Sequence, residues 1–397
     1  MKTKFLALAA IAGLFFGSCS DDDNTTYTAP APAEGTISGT YTENTTFAYG
    51  NYDLEGIVKV ASGVTLTFDA GSTITCSSET GDNALVVLNG GKLIVNGTAD
   101  APVVFTESSK LPGSWGGIIM YGDAPINALG GVSTALSEDG NSITYGGTNA
   151  AHNGGALHYV RIEYAGAKLG DGVKENNAFT FYSVGSGTVL DHLVAYKGAD
   201  DGYEFFGGTV SATDIISYGN TDDSFDWQDG WQGQNNSNWY AVQVNKGNFG
   251  MEVEASNNNN AYGPKVSNIT LKRATGTTTE SDTDVQVDAM QFKREGNGIY
   301  DNIVIDGFGT YMVGATSYPG AALKIQDDVT NTHQVNTGKL KITNVKITNT
   351  TQVDPIGATG AIIVAFPAGN WTTSGTATGA TITGGAWTTV DGVNLLQ

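Results

Sequence analysis

The sequence predicts an all-β chain wound as a right-handed parallel β-helix solenoid, and three observations carry that prediction. Glycine is abundant and proline scarce, 54 against 9 in 397 residues, and past the N-terminal segment no apolar pattern holds the 3.6-residue period of a helix. A short phrase (apolar, two residues, apolar, one residue, apolar) returns along the chain, and a second phrase of alternating apolar residues follows it in several repeats. The second phrase starts at Phe179, Tyr203, Phe225, Met251, Met290 and Leu323, which lie 24, 22, 26, 39 and 33 residues apart. Two strand-like phrases per unit at such a period indicate a solenoid, with loops of different length leaving one edge. A leucine-rich horseshoe would need a shorter, stricter leucine repeat, and a propeller would show blades of about 40 residues.

Taken in chain order, residues 1–18 read as a secretory signal. Lys2 and Lys4 precede an apolar run from Phe5 to Phe16, and the small residues Gly17 and Ser18 follow. That run is shorter than the roughly 20 apolar residues a membrane-spanning helix needs. Phe16-Gly17-Ser18-Cys19 resembles a bacterial lipobox. The resemblance implies that Cys19 carries the lipid and begins the mature chain, where several acyl chains anchor firmly at roughly 0.8 kcal/mol per buried methylene. Ser20-Asp21-Asp22-Asp23 resembles the acidic export tag of surface lipoproteins of the Bacteroidota, which implies an outer-membrane, cell-surface location. Residues 19–36 are then an acidic tether and a Thr-, Ala- and Pro-rich linker. With Cys19 committed, Cys76 has no intramolecular partner, so a disulfide framework and a cysteine metal site are excluded. Cys76 is expected to be a buried, inert thiol.

Residues 37–397 are expected to form a single β-helix domain. Ile57–Val60, Val64–Phe68, Leu85–Leu88, Lys92–Val95 and Val103–Phe105 supply the early strands, and a loop excursion is expected near 112–153. The first phrase then appears as Leu157/Val160/Ile162, Leu190/Leu193/Ala195, Ala212/Ile215/Ser217 and Trp239/Val242/Val244. It returns as Val266/Ile269/Leu271, Tyr300/Ile303/Ile305 and Ile342/Val345/Ile347. Period-two alternation in the second phrase points Phe179, Tyr203, Phe225, Met251, Met290 and Leu323 inward as one column. Phe181, Phe205, Trp227, Val253, Phe292 and Ile325 form another.

Four strings carry a family resemblance: Ser114-Trp115-Gly116-Gly117-Ile118-Ile119, Leu157 to Gly166, Ala199 to Gly208, and Asp222-Asp223-Ser224-Phe225-Asp226-Trp227. They resemble bacterial secreted and lipid-anchored β-helix proteins of the pectate-lyase-like fold class. The resemblance spans roughly residues 50 to 390 and implies a fold without implying an activity.

Charge narrows the partners. The chain has 40 acidic and 19 basic residues, a formal net charge of -21, which disfavours nucleic acid and anionic lipid headgroups. Divalent cations and neutral or basic ligands remain compatible.

In the second phrase the outward position reads Thr180, Glu204, Asp226, Glu252, Gln291, Lys324, so three consecutive coils stack carboxylates about 5 Å apart. Asp201 and Asp223 form a further pair, with Asp200 and Asp222 at the turn before them, and Glu254 adds another outward acid. Like charges directly opposite in a sheet destabilise it. Three readings stay open: a solvated acidic face, a calcium site built from Asp200, Asp201, Glu204, Asp222, Asp223 and Asp226, or catalytic carboxyls. The spacing matches no EF-hand loop. Adjacent ladder members suit the 5–5.5 Å of a retaining glycosidase, and Glu204 with Glu252 approaches the inverting separation. No spacing selects a basic residue for a lyase among Lys197, Lys246, Arg273, Lys293, Arg294 and Lys324. Trp231, Trp239 and Tyr240 are candidates to stack on sugar rings. The expectation is a surface-anchored binding or structural module facing extracellular glycan, a surface protein or another cell-surface component. A polysaccharide-degrading lyase or glycoside hydrolase using the ladder is the alternative, and no catalytic residue is singled out.

Overall fold

Two series of strands climb the solenoid, each pairing in parallel with its counterpart one coil on. The first series is Gly155–Glu163, Val189–Tyr196, Ala212–Tyr218, Asn236–Gln243, Lys265–Arg273, Gly298–Asp306 and Leu340–Thr348. The second is Ile118–Tyr121, Phe179–Tyr182, Tyr203–Phe206, Phe225–Gln228, Met251–Glu254, Met290–Lys293 and Lys324–Ile325. These belong to a 24-stranded sheet, the right-handed parallel β-helix that the repeats predict. The computed structural model describes residues 31–76, 82–167, 176–256 and 263–397. The signal segment 1–18, Cys19 and the tether up to residue 30 lie outside the described residues, and the strand Ala33–Tyr41 begins within the stretch expected to be linker.

Both inward columns form as the alternation requires. Phe179 pairs with Tyr203, Tyr203 with Phe225, and Phe225 with Met251, while Phe181, Phe205, Trp227 and Val253 run beside them. Their rings stack at close to the spacing of the coils: 5.0 Å for Phe179–Tyr203, 5.6 Å for Tyr203–Phe225 and 5.1 Å for Phe181–Phe205. Cys76 is buried among the apolar core residues, and burial pushes its thiol well above the usual range.

A bend in every first-series strand is set by backbone conformation. Tyr159, His192, Asp214, Asn238, Asn268, Asn302 and Asn344 occupy one column and all adopt φ between 50° and 58°. Asparagine tolerates this left-handed region better than most side chains, and it fills the last four positions. This column corrects one expected register. The phrase placed at Trp239/Val242/Val244 is Asn236/Trp239/Ala241, because Trp239 pairs with Ile215 and Ile269. Asn236 stands where other coils have an apolar residue. It is buried, accepts the Ala212 N–H (2.8 Å) and donates to the Gly233 and Lys265 carbonyls.

The outer surface carries two apolar stripes, and each is covered. Within the 112–153 segment, Ile118–Tyr121 is a coil strand, and the covering chain begins after it. Ile126, Ala128 and Tyr145 of that covering chain pack on the outward faces of Ile119, Tyr182 and Phe206. The C-terminal segment doubles back along the solenoid, meeting Asn302, Thr270 and Asn238 in turn through the backbone of residues 378–381. Its Trp387, Val390 and Leu395 then pack on Tyr164, Val194, Tyr196, Ile216, Tyr240 and Val242. Strands such as Ile118–Tyr121 are therefore buried on both faces, which explains their unbroken apolar character. Among the described residues no helix is long and apolar enough to cross a membrane.

Candidate functional site

Register builds the acidic ladder as the alternation requires. Thr180, Glu204, Asp226, Glu252, Gln291 and Lys324 stand side by side on consecutive coils. All six point away from the coil interior, yet the ladder is not a solvated face. Thr180, Glu204, Asp226 and Gln291 are buried, with Glu204 only 7% and Asp226 only 8% exposed. The reading of an open acidic surface is therefore corrected, and around Glu204 the covering chain of residues 122–153 contributes to the burial. Asn127 donates its N–H to the Asp229 carbonyl (2.8 Å), Gly208 donates to the Pro125 carbonyl (2.9 Å), and the Tyr145 hydroxyl donates to the Asp229 carboxylate. Glu138, from the same covering chain, adds negative charge close to Glu204.

Each acid in the cluster has a distinct environment. Asp201 Oδ1 accepts the backbone N–H of Asp223 one coil on (2.8 Å), and Asp223 Oδ1 accepts that of Phe249 (2.6 Å). Asp288 does the same for Ala321 (2.9 Å), so one device recurs: a carboxylate at the entrance of a second-series strand ties down the next coil. Asp200 and Asp222 are half-buried at the turn, where Asn248 donates to Asp222. Glu204 accepts from Asn177 (2.6 Å) and Gln228 (3.0 Å) and lies against Asp226. Burial, then the field of Glu138, pushes its carboxyl up to about 8, although its hydrogen bonds act in the other direction. Burial also raises Asp201, Asp223 and Asp226 well above the carboxylate range, reinforced by their neighbours' negative charge.

Farther along, the same column is neutralised by bases. Lys293 bonds Glu252 (2.5 Å) and lies 3.5 Å from Glu254, which also meets Arg294 (3.1 Å); Lys324 pairs with Asp288 (3.2 Å). Nothing in the sequence spacing selected these bases. Register does, because Lys293 sits directly beside Glu254.

The expected sugar-stacking aromatics are corrected. Trp231 and Trp239 lie inside the coil, 1% and 0% exposed, with their indole N–H groups donating to the Val210 and Ala212 carbonyls (3.0 Å each). Trp231 stacks on Phe205 at 4.5 Å. Tyr240 faces outward but lies beneath the C-terminal segment. Their placement follows from the corrected register, which turns Trp239 into a core position.

A run of accessible concavities lies on another edge, along the turns that lead into the first-series strands. Three of them, of about 440, 430 and 360 Å³, share Gln234 as a common wall. Gln232, Asn235, Lys265, Thr209 and Ser211 line parts of the same edge. Amides and hydroxyls dominate it. Such groups donate and accept hydrogen bonds, and Lys265, Lys339 and Asp301 add charged groups to the same edge.

A family model described as a pectate-lyase like beta helix domain matches residues 39–390. No curated protein and no solved structure matches the chain.

Proposed function

Since the chain belongs to the pectate-lyase-like β-helix domain family, we propose that it is a lipid-anchored surface module that binds extracellular glycan without cleaving it. The carrying observation is where the acids lie. A glycosidase needs two carboxyls that reach the scissile bond from opposite sides. Glu204 and Asp226 are buried, and Glu252 is held by Lys293, so no pair in the ladder meets that need. The amide- and hydroxyl-lined edge around Gln234 is open and suits the hydroxyl groups of a neutral polysaccharide. A lipid on Cys19 would hold this module at the outer membrane.

Affinity electrophoresis of the protein through gels containing individual polysaccharides tests the reading. Retardation is expected in at least one neutral glycan, weakened by a Gln234→Ala/Asn235→Ala variant, with no release of reducing ends or unsaturated sugars. Multiple-turnover cleavage of any of these polysaccharides would overturn it. Cys19→Ala should abolish lipid labelling and move the protein to the aqueous phase of a detergent partition. Retention of the variant in the detergent phase would refute the anchor.

A further inference from the structure

Charge compensation is uneven within the ladder. Among the described residues, no ion pair joins Asp201, Glu204 or Asp226 to a basic side chain. Lys293 is bonded to Glu252 and reaches Asp226 only through its field. One carboxylate oxygen each from Asp201, Glu204 and Asp226 lie within 4.8 Å of one another.

Two buried oxygens in this cluster lack a donor. Asp226 Oδ1 is sealed from solvent with no hydrogen-bond partner. Asn177, 3% exposed, gives its amide N–H to Glu204 and to Thr180, and its Oδ1 is likewise sealed and unpartnered. Burying an acceptor without a donor costs about 1–3 kcal/mol, and more for a charged group.

We propose that Asp201, Glu204 and Asp226 together hold one divalent cation of the calcium class, buried and closed to substrate, as a structural centre beyond the glycan-binding role. A shared proton satisfies one contact between Glu204 and Asp226 but leaves Asp201 as it is. A cation serves the three carboxylates at once, including the unpartnered Asp226 oxygen. The donors are all hard oxygens, which calcium accepts in flexible geometry. Oxygens 2.3–2.6 Å from a calcium ion lie at most roughly 5 Å apart across it, whereas magnesium closes that span to roughly 4 Å. The alternative group, Asp200 with Asp201 and Asp222, is half-exposed at two of its three members, and Asp200 and Asp222 have contacts of their own.

The test uses the full-length protein purified in detergent and stripped with chelator. Calorimetric titration with calcium chloride should give one ion per chain, and terbium bound there should luminesce by transfer from the adjacent Trp227. At a calcium concentration 100 times Kd the folding equilibrium constant should rise about a hundredfold, read as a higher melting temperature. Magnesium should substitute poorly. Glu204→Gln and Asp226→Asn should each abolish the terbium signal, while Asp222→Asn keeps it. If those variants fail to fold, the wild-type stoichiometry decides alone. Absence of calcium binding at millimolar concentration would overturn the proposal. So would a signal lost in Asp222→Asn but kept in Asp226→Asn, or a melting temperature that answers to acid and not to calcium.

Discussion

The coils of Tyr203–Phe206 and Phe225–Gln228 and the coils of Met251–Glu254 and Met290–Lys293 share one register and the same inward columns, yet they handle outward acids in opposite ways. In the later pair, Lys293 and Arg294 are held against Glu252 and Glu254. In the earlier pair, the position matching Lys293 is Gln228, since each follows the inward residue of its strand, and those residues, Trp227 and Phe292, both pair with Val253. Its amide donates to Glu204 and brings no charge. The difference teaches that this fold can neutralise a buried acid from the next coil by one substitution in one column. Where it does not, the acid is neutralised by a proton or by the cation proposed above.

The largest effect is expected from breaking the neutralised side. Lys293→Met leaves Glu252 and Glu254 with only the exposed Arg294 beside them, and for this part-buried pair the loss should fall between the roughly 1 kcal/mol of an exposed pair and the 3–5 kcal/mol of a buried one, about 2–3 kcal/mol. Urea melts should show it, and Lys293→Met/Glu252→Gln should recover part of the loss. A single variant as stable as the parent would mean that the ion pair carries nothing. A smaller effect comes from copying the Lys293 solution onto the other side. Gln228→Lys replaces a neutral donor to Glu204 by a charged one, worth about 1 kcal/mol more. Stability in chelator should rise by that amount while the calcium response shrinks severalfold. An undiminished response would show that Glu204 is not where the charge deficit lies.

The sequence made the columns legible because period-two alternation leaves no freedom: once Phe225 and Trp227 point inward, Asp226 points away. It could not show that away means covered. That depends on Ile126, Ala128 and Tyr145, whose segment has no repeat to read, folding back over Tyr182 and Phe206. The register at Trp239 is hidden for a related reason: a buried asparagine, Asn236, takes the first apolar place of the phrase, which shifts its apparent start three residues on. The signal that places it is the recurring asparagine two residues on, at Asn238, Asn268, Asn302 and Asn344, where the backbone turns left-handed. Lys293 was visible as a cation but not as a partner, because the 39-residue spacing before its coil hides which acid it meets.

The smallest effect concerns the cover itself and sharpens the comparison from its other side. His152, at the end of the covering chain, is 4% exposed, and its Nε2 is buried without a hydrogen-bond partner. Gly185 donates its N–H to Nδ1 at 3.4 Å, which favours the neutral ring. Burial lowers the His152 pKa, against the field of Asp123, and Lys92 adds to the lowering. The unfolded chain then takes up a proton before the folded one does. The stability that neutral His152 contributes is complete above the ordinary histidine value of about 6.5 and is lost as pH falls through the lower folded value. Hydrogen exchange of the amides in residues 122–153 should therefore quicken, relative to the Met251–Glu254 strand, as pH drops below about 6.5 after correction for intrinsic rates. A His152→Gln variant should flatten that dependence. Glu204 beneath the cover answers in the opposite sense, because its raised carboxyl is favoured by acid and not by base. Acid should thus loosen the cover while easing the repulsion under it, and an exchange profile that changes equally in both places would show that cover and ladder open as one unit.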